Sequence, residues 1–96
     1  MSLKIITMNR VEILKKLQEI IVKFNIYHLS KTDKVEDVLR EDACLYEDLD
    51  FDELDISNLA TRLENYFQVK VDENDLIETE TLGEIVDYVA DKIRKN

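Results

Sequence analysis

The 96-residue sequence contains no proline and no tryptophan, and only one glycine (Gly83), one cysteine (Cys44) and one histidine (His28). With almost nothing to break a helix, and few alternating β-branched runs to build a sheet, the chain reads as all-α. A lone cysteine cannot close an internal disulfide and has no metal-ligand neighbours at useful spacing. Cys44, beside Leu45, therefore reads as a packing residue rather than a reactive thiol. His28 has Tyr27 and nearby acids as candidate partners. Without a Ser, Cys or second His at motif spacing it forms no catalytic set. There is no glycine-rich phosphate loop either, and the chain reads as non-enzymatic. No apolar run approaches the ~20 residues that span a bilayer, which excludes membrane insertion through a helix. Met1–Met8 lacks the charged start, long apolar stretch and small-residue cleavage site of a signal peptide, so cytoplasmic residence is the expectation.

What is present is 45% hydrophobic and 36% charged, enough for one modest core, and the expected organisation is a single domain over residues 1–96. Residues 1–8 are expected to form a flexible tail, with Met8 an alternative start. A net charge of −9 argues against nucleic acid and against anionic membrane surfaces, both of which require basic groups. The charge is uneven: residues 1–31 carry six Lys or Arg against two Glu, and most of the acid follows Asp33. The natural complement of the acidic part is the basic surface of a partner protein. A monomer is expected.

Asn9 is a suitable N-cap for a first helix whose apolar positions, Val11, Leu14, Leu17, Ile20, Ile21 and Phe24, recur three and four apart. The helix should end between Phe24 and Tyr27. Asn25 to Asp48 is a long connection. An unstructured stretch of that length is unusual in a compact domain, so a short helix carrying Val35, Val38 and Leu39, capped by Thr32 or Asp33, is expected inside it. Glu53 to Phe67 is the second main helix, followed by an extended or loosely turned Gln68–Val71. Asp72 should cap a short third helix, and Thr81-Leu82-Gly83-Glu84 forms a capping box for the last one. That helix buries Leu82, Ile85, Val86, Val89 and Ile93, and ends in Lys92, Arg94 and Lys95, which suit the negative end of its dipole. Tyr46, Tyr66 and Tyr88 should rim the core with their hydroxyls in water.

The most informative stretch is Glu47-Asp48-Leu49-Asp50-Phe51-Asp52-Glu53-Leu54-Asp55. Eight acidic residues and no basic ones lie from Glu41 to Thr61. Asp52 is a good N-cap with Asp55 in the place of a capping-box acid, and Glu53 and Asp55 suit the positive end of a helix. Asp48-x-Asp50-x-Asp52 imitates the opening of a calcium loop. The sixth position is Glu53 instead of Gly, and the twelfth is Leu59 instead of Glu, so no dedicated metal site is expected.

This stretch, continued by Leu59, Leu63-Glu64, Phe67, Val71, Thr81-Leu82 and Val86-Asp87-Tyr88-Val89, resembles the acyl carrier proteins. Their acidic loop reads roughly E-D-L-G-x-D-S-L-D and opens the second helix. The resemblance implies a four-helix bundle with a long first loop, here several residues longer than usual, and a short third helix. It also implies a serine that carries 4′-phosphopantetheine, and in this register that serine falls on Glu53. A carboxylate cannot form the stable phosphodiester that the arm requires, so no cofactor is expected. Glu53 then either imitates the charge of a modified serine or is simply favoured by the helix dipole. Ser57 is the one candidate substitute, displaced by about 6 Å along the helix axis; the plainer reading is a solvated helix residue.

The resemblance further implies a docking surface made of Asp50, Asp52, Glu53, Leu54, Asp55, Ser57, Thr61 and Glu64, facing a lipid- or polyketide-type synthase. Ser57 and Thr61 stand where exposed apolar residues are usual, and Arg62 adds a positive charge. The favoured function is an acyl-carrier-like interaction module without its prosthetic group. The alternative is a working carrier of acyl thioesters on 4′-phosphopantetheine in fatty-acid or secondary metabolism. An acidic decoy for one basic protein is a third. Without an arm, the bundle interior is expected to be filled by Leu, Ile and Phe.

Overall fold

The computed structural model describes residues 8–95. They form five helices in the order α1 (Arg10–Lys23), α2 (Val35–Val38), α3 (Glu53–Phe67), α4 (Glu73–Ile77) and α5 (Leu82–Lys95). The three long helices and the short α4 are the expected bundle; α2 is the single turn expected inside the first connection. Of the predicted tail, residues 1–7 lie outside the described set, and Met8 packs against the core.

Helix α1 starts as its sequence dictates. The Asn9 side chain accepts the Glu12 N–H at 2.9 Å, and the Glu12 carboxylate accepts the Asn9 N–H at 3.1 Å, a reciprocal capping box. Its buried face is not quite the predicted stripe. Ile13, Leu17, Ile20 and Ile21 point inward, Leu14 and Phe24 flank them, and Val11 is 63% exposed. Six residues before Leu17 is about 120° around the helix from it, whereas four residues, the offset of Ile13, is about 40°. The buried stripe therefore starts at Ile13, not at Val11.

Two other local expectations are corrected. Neither Thr32 nor Asp33 caps α2; Lys34 is the cap residue and supplies no side-chain bond, while Asp33 accepts the Ser30 N–H at 3.0 Å to close the preceding turn. The helix nonetheless delivers Leu39, at its C-cap, into the core. At α5, Thr81 accepts the Glu84 N–H at 3.2 Å, but the Glu84 carboxylate meets the Thr81 hydroxyl at 3.4 Å instead of its backbone N–H. Half of the box is present.

The core is one continuous cluster. Ile13, Leu17, Ile21, Ile56, Leu59, Leu63, Phe67, Ile85, Val86 and Val89 from the long helices are joined by Leu39 and Leu45 from the first connection and Leu76 from α4. As expected, Leu, Ile and Phe fill the interior, and among the described residues no polar or charged side chain is buried. Burying each large aliphatic contributes about 1.5–3 kcal/mol.

Polar clamps close the periphery. Arg10 reaches Asp87 at 2.7 Å, Glu41 at 2.6 Å and the Gly83 carbonyl at 3.3 Å, which ties the start of α1 to the first connection and to α5. Gly83 lets these segments meet, since a Cβ there would stand 3.1 Å from the Glu41 carbonyl oxygen, which accepts its N–H. The short α4 is braced from both sides. Tyr46 donates to the Ile77 carbonyl at 2.9 Å; Tyr88 donates to Asp75 at 2.9 Å and accepts the Asp72 N–H at 3.1 Å. These two hydroxyls bond to protein, contrary to the expectation that they reach water.

Candidate functional site: the acidic entrance to helix α3

The loop before α3 alternates in and out. Leu45, Leu49 and Phe51 are buried, while Asp48, Asp50 and Asp52 are exposed between and beside them. Apolar anchors thus force the intervening carboxylates outward. The loop is also held by its backbone: Leu45 N–H donates to Glu80 at 2.8 Å, Leu82 N–H to Ala43 at 3.2 Å, and Phe51 N–H to Leu45 at 2.9 Å. Cys44 and Thr81 form an isolated antiparallel bridge at this point. Asp48 turns its carboxylate back onto the Cys44 N–H at 2.8 Å. Among the described residues no group of three or more His, Cys, Asp or Glu is placed to hold a metal ion.

At the helix entrance Asp52 accepts the Asp55 N–H at 2.9 Å and Asp55 accepts the Asp52 N–H at 3.0 Å. Both carboxylates satisfy otherwise orphaned donors, which is the capping box expected from the sequence. Glu53 follows directly, exposed in the first turn and favoured there by the dipole. Leu54 beside it is 79% exposed. Asp50 takes φ 55°, a left-handed conformation that Asp tolerates better than most residues.

The remaining predicted site residues part company. Thr61 is exposed and its hydroxyl donates to the Ser57 carbonyl at 3.2 Å. Ser57 is half-buried, not exposed as its helical position suggested. Glu64 accepts the Val71 N–H at 2.9 Å, and so closes the turn after α3, where Gln68 is left-handed at φ 58°. It has an intrachain job that spacing alone did not reveal; an acid seven residues before an apolar loop residue is too weak a pattern to single out. Asp50, Asp52, Glu53, Leu54 and Asp55 do come together around the entrance. His28 is exposed on the first connection. The local field reaches Cys44: burial first, then the carboxylates of Asp48, Glu47, Glu80 and Asp42, push its thiol above the ordinary range.

Over residues 29–89 the chain matches the family described as a phosphopantetheine attachment site. Helical fold, acidic loop and this match define a carrier-domain protein, which is not an enzyme. It is 37% identical over 82 residues to the acyl carrier protein of Borreliella burgdorferi strain ZS7, covering 85% of this chain and 94% of that one. It is 36% identical over 85 residues to that of Thermotoga maritima, covering 88% and 96%. The chain belongs to the acyl carrier protein family.

The prosthetic group that the family implies needs a hydroxyl at the helix entrance. The entrance offers carboxylates: Asp52 and Asp55 are occupied in capping each other, and Glu53 has no hydroxyl to esterify. The next hydroxyl along α3, Ser57, is half-buried in an established helical turn.

Proposed function

We propose that this chain is an acyl-carrier-like protein without the attachment serine, which works by protein contact through the acidic entrance of α3. The observation that carries the reading is Glu53, an exposed carboxylate in the first turn of the helix. The register that puts the family's serine there has independent support. Its motif has glycine three residues earlier, and Asp50 holds the left-handed backbone for which glycine is the usual choice. Asp50, Asp52, Glu53 and Asp55 form a negative rim beside exposed Leu54. A basic surface with a small apolar recess is its complement, of the kind a synthase of lipid or polyketide type would present. Association should weaken with salt.

The rival reading, a working carrier on 4′-phosphopantetheine, is favoured by the extent of the match to proteins named acyl carrier protein. It requires Ser57 or another side chain to take the arm. The test is intact-mass measurement after incubation with coenzyme A and a broad-range phosphopantetheinyl transferase. The unmodified mass is expected for the chain as it stands, and addition of the arm is expected for Glu53→Ser. An arm found on Ser57, or anywhere in the unaltered chain, overturns the proposal.

A further inference from the structure

The C-terminal half of α3 presents chemistry opposite to that of its entrance. Between it and α1 runs a groove of about 410 Å³, with Ile20, Phe24 and Tyr66 as its apolar part and Lys16, Lys23 and Arg62 as its charged rim. In a chain with 22 acidic and 13 basic residues, three cations around one groove are a local reversal of sign. One carboxylate, Glu19, lies there too, and it is held by Lys16 at 3.1 Å.

The cations are differently engaged. Arg10, Lys16, Arg40, Arg94 and Lys95 form ion pairs, whereas among the described residues Lys23 and Arg62 do not. Both lean on one aromatic ring instead: the Arg62 guanidinium lies 4.0 Å from the centre of Phe24, and the Lys23 ammonium 5.5 Å from it. Arg62 Nε donates to Asn58 at 3.3 Å, which leaves the terminal nitrogens of a stacked, oriented guanidinium as a fork. Such a fork matches a carboxylate in two places at once.

We propose that this groove docks an acidic segment of a partner protein, with a carboxylate on Arg62 and Lys23 and an aliphatic or aromatic anchor against Ile20, Phe24 and Tyr66. Charge complementarity selects the acidic partner. Shape selects a chain segment, because the eight-residue step from Lys16 to Phe24 runs about 12 Å along α1, two turns of a docked helix. The inference is independent of the reading of the α3 entrance.

The test is an NMR titration of the full chain with a short Glu-rich peptide containing one central Phe. Amide shifts are expected to centre on Ile20, Lys23, Phe24, Arg62 and Tyr66. Arg62→Gln and Lys23→Gln, each first shown to retain the parent circular dichroism, should each weaken binding about tenfold, the loss expected for a charge-assisted bond. Arg94→Gln, the same charge change beside Arg10 at the far end of α1, should leave affinity unaltered. The peptide with Phe replaced by Ala should bind more weakly, and its Lys-rich counterpart should not bind. Any of four results overturns the proposal: no shifts, shifts centred on the α3 entrance, equal binding of the Lys-rich peptide, or groove shifts that follow protein concentration alone, which would make a second copy the occupant.

Discussion

Removing the Glu64 carboxylate tests whether that acid belongs to the docking surface or to the scaffold. Its Oε1 accepts the Val71 N–H at 2.9 Å, and Val71 is only 8% exposed. Glu64→Ala strands that N–H in a place where water can scarcely replace the lost acceptor. A hydrogen bond to a charged group contributes about 1.5–3 kcal/mol. Taking about 2 kcal/mol, and about 4–8 °C per kcal/mol for a domain of this size, the midpoint should fall by about 8–16 °C. Glu64→Gln keeps a carbonyl at the same reach and removes only the charge, so its loss should be about 1 kcal/mol or less. Urea unfolding followed by far-UV circular dichroism measures both, and hydrogen exchange at Val71 should quicken in the Ala variant alone. The scaffold role is refuted if Glu64→Ala stays within about 0.5 kcal/mol of the parent, the usual range for a plain surface change, or if Gln is as damaging as Ala.

The corrected face of α1 predicts that Ile13→Ala costs about 2–5 kcal/mol in urea unfolding, while Val11→Ala changes stability by less than about 0.5 kcal/mol; equal effects would refute the assigned face. Burial first, and the carboxylates of Asp75 and Asp72, raise Tyr88 above its ordinary value, against the opposing bond from the Asp72 N–H. The folded state therefore holds that proton more tightly than the unfolded chain. The stabilisation is whole below about pH 10 and is lost as pH rises through the raised folded value. Urea titrations should show a flatter decline above that pH for Tyr88→Phe, and an unchanged slope would contradict the assignment. Cys44 should react with an aromatic disulfide reagent at mildly alkaline pH more slowly than free cysteine does; an equal or faster rate would sink the account of its surroundings. At Asp50, Val should cost about 1–2 kcal/mol because of the left-handed backbone, whereas Gly should be close to neutral in the same unfolding assay, the relieved strain offsetting a looser unfolded chain. Free tolerance of Val would refute the strain.

The long helices and α4 were legible because each announces itself locally, whereas α2 has no side-chain cap to announce it. Asn9 with Glu12, Asp52 with Asp55, and Asp72 ahead of α4 are short-range caps whose partners sit within three residues. The acidic entrance was legible for the same reason, since apolar anchors and carboxylates alternate along a few neighbouring positions. What escaped were contacts set by tertiary placement. Glu64 onto Val71, Tyr46 onto Ile77, and the partial burial of Ser57 depend on which element happens to lie alongside. The groove under Arg62 was hidden likewise: the charge was visible in the sequence, but its stacking on Phe24 joins residues from separate helices.

The pairing of residues 43–45 with residues 80–82 has a temporal consequence. During synthesis residues 43–55 emerge before residues 80–82, so the loop ahead of α3 at first lacks these bonds, whereas the Asp52–Asp55 capping box needs no later residue. These bonds form only once Glu80 and Leu82 lie against Leu45 and Ala43. A nascent chain, or a fragment truncated ahead of Glu80, would thus carry every rim carboxylate and still lack the backbone bonds that hold the loop before α3.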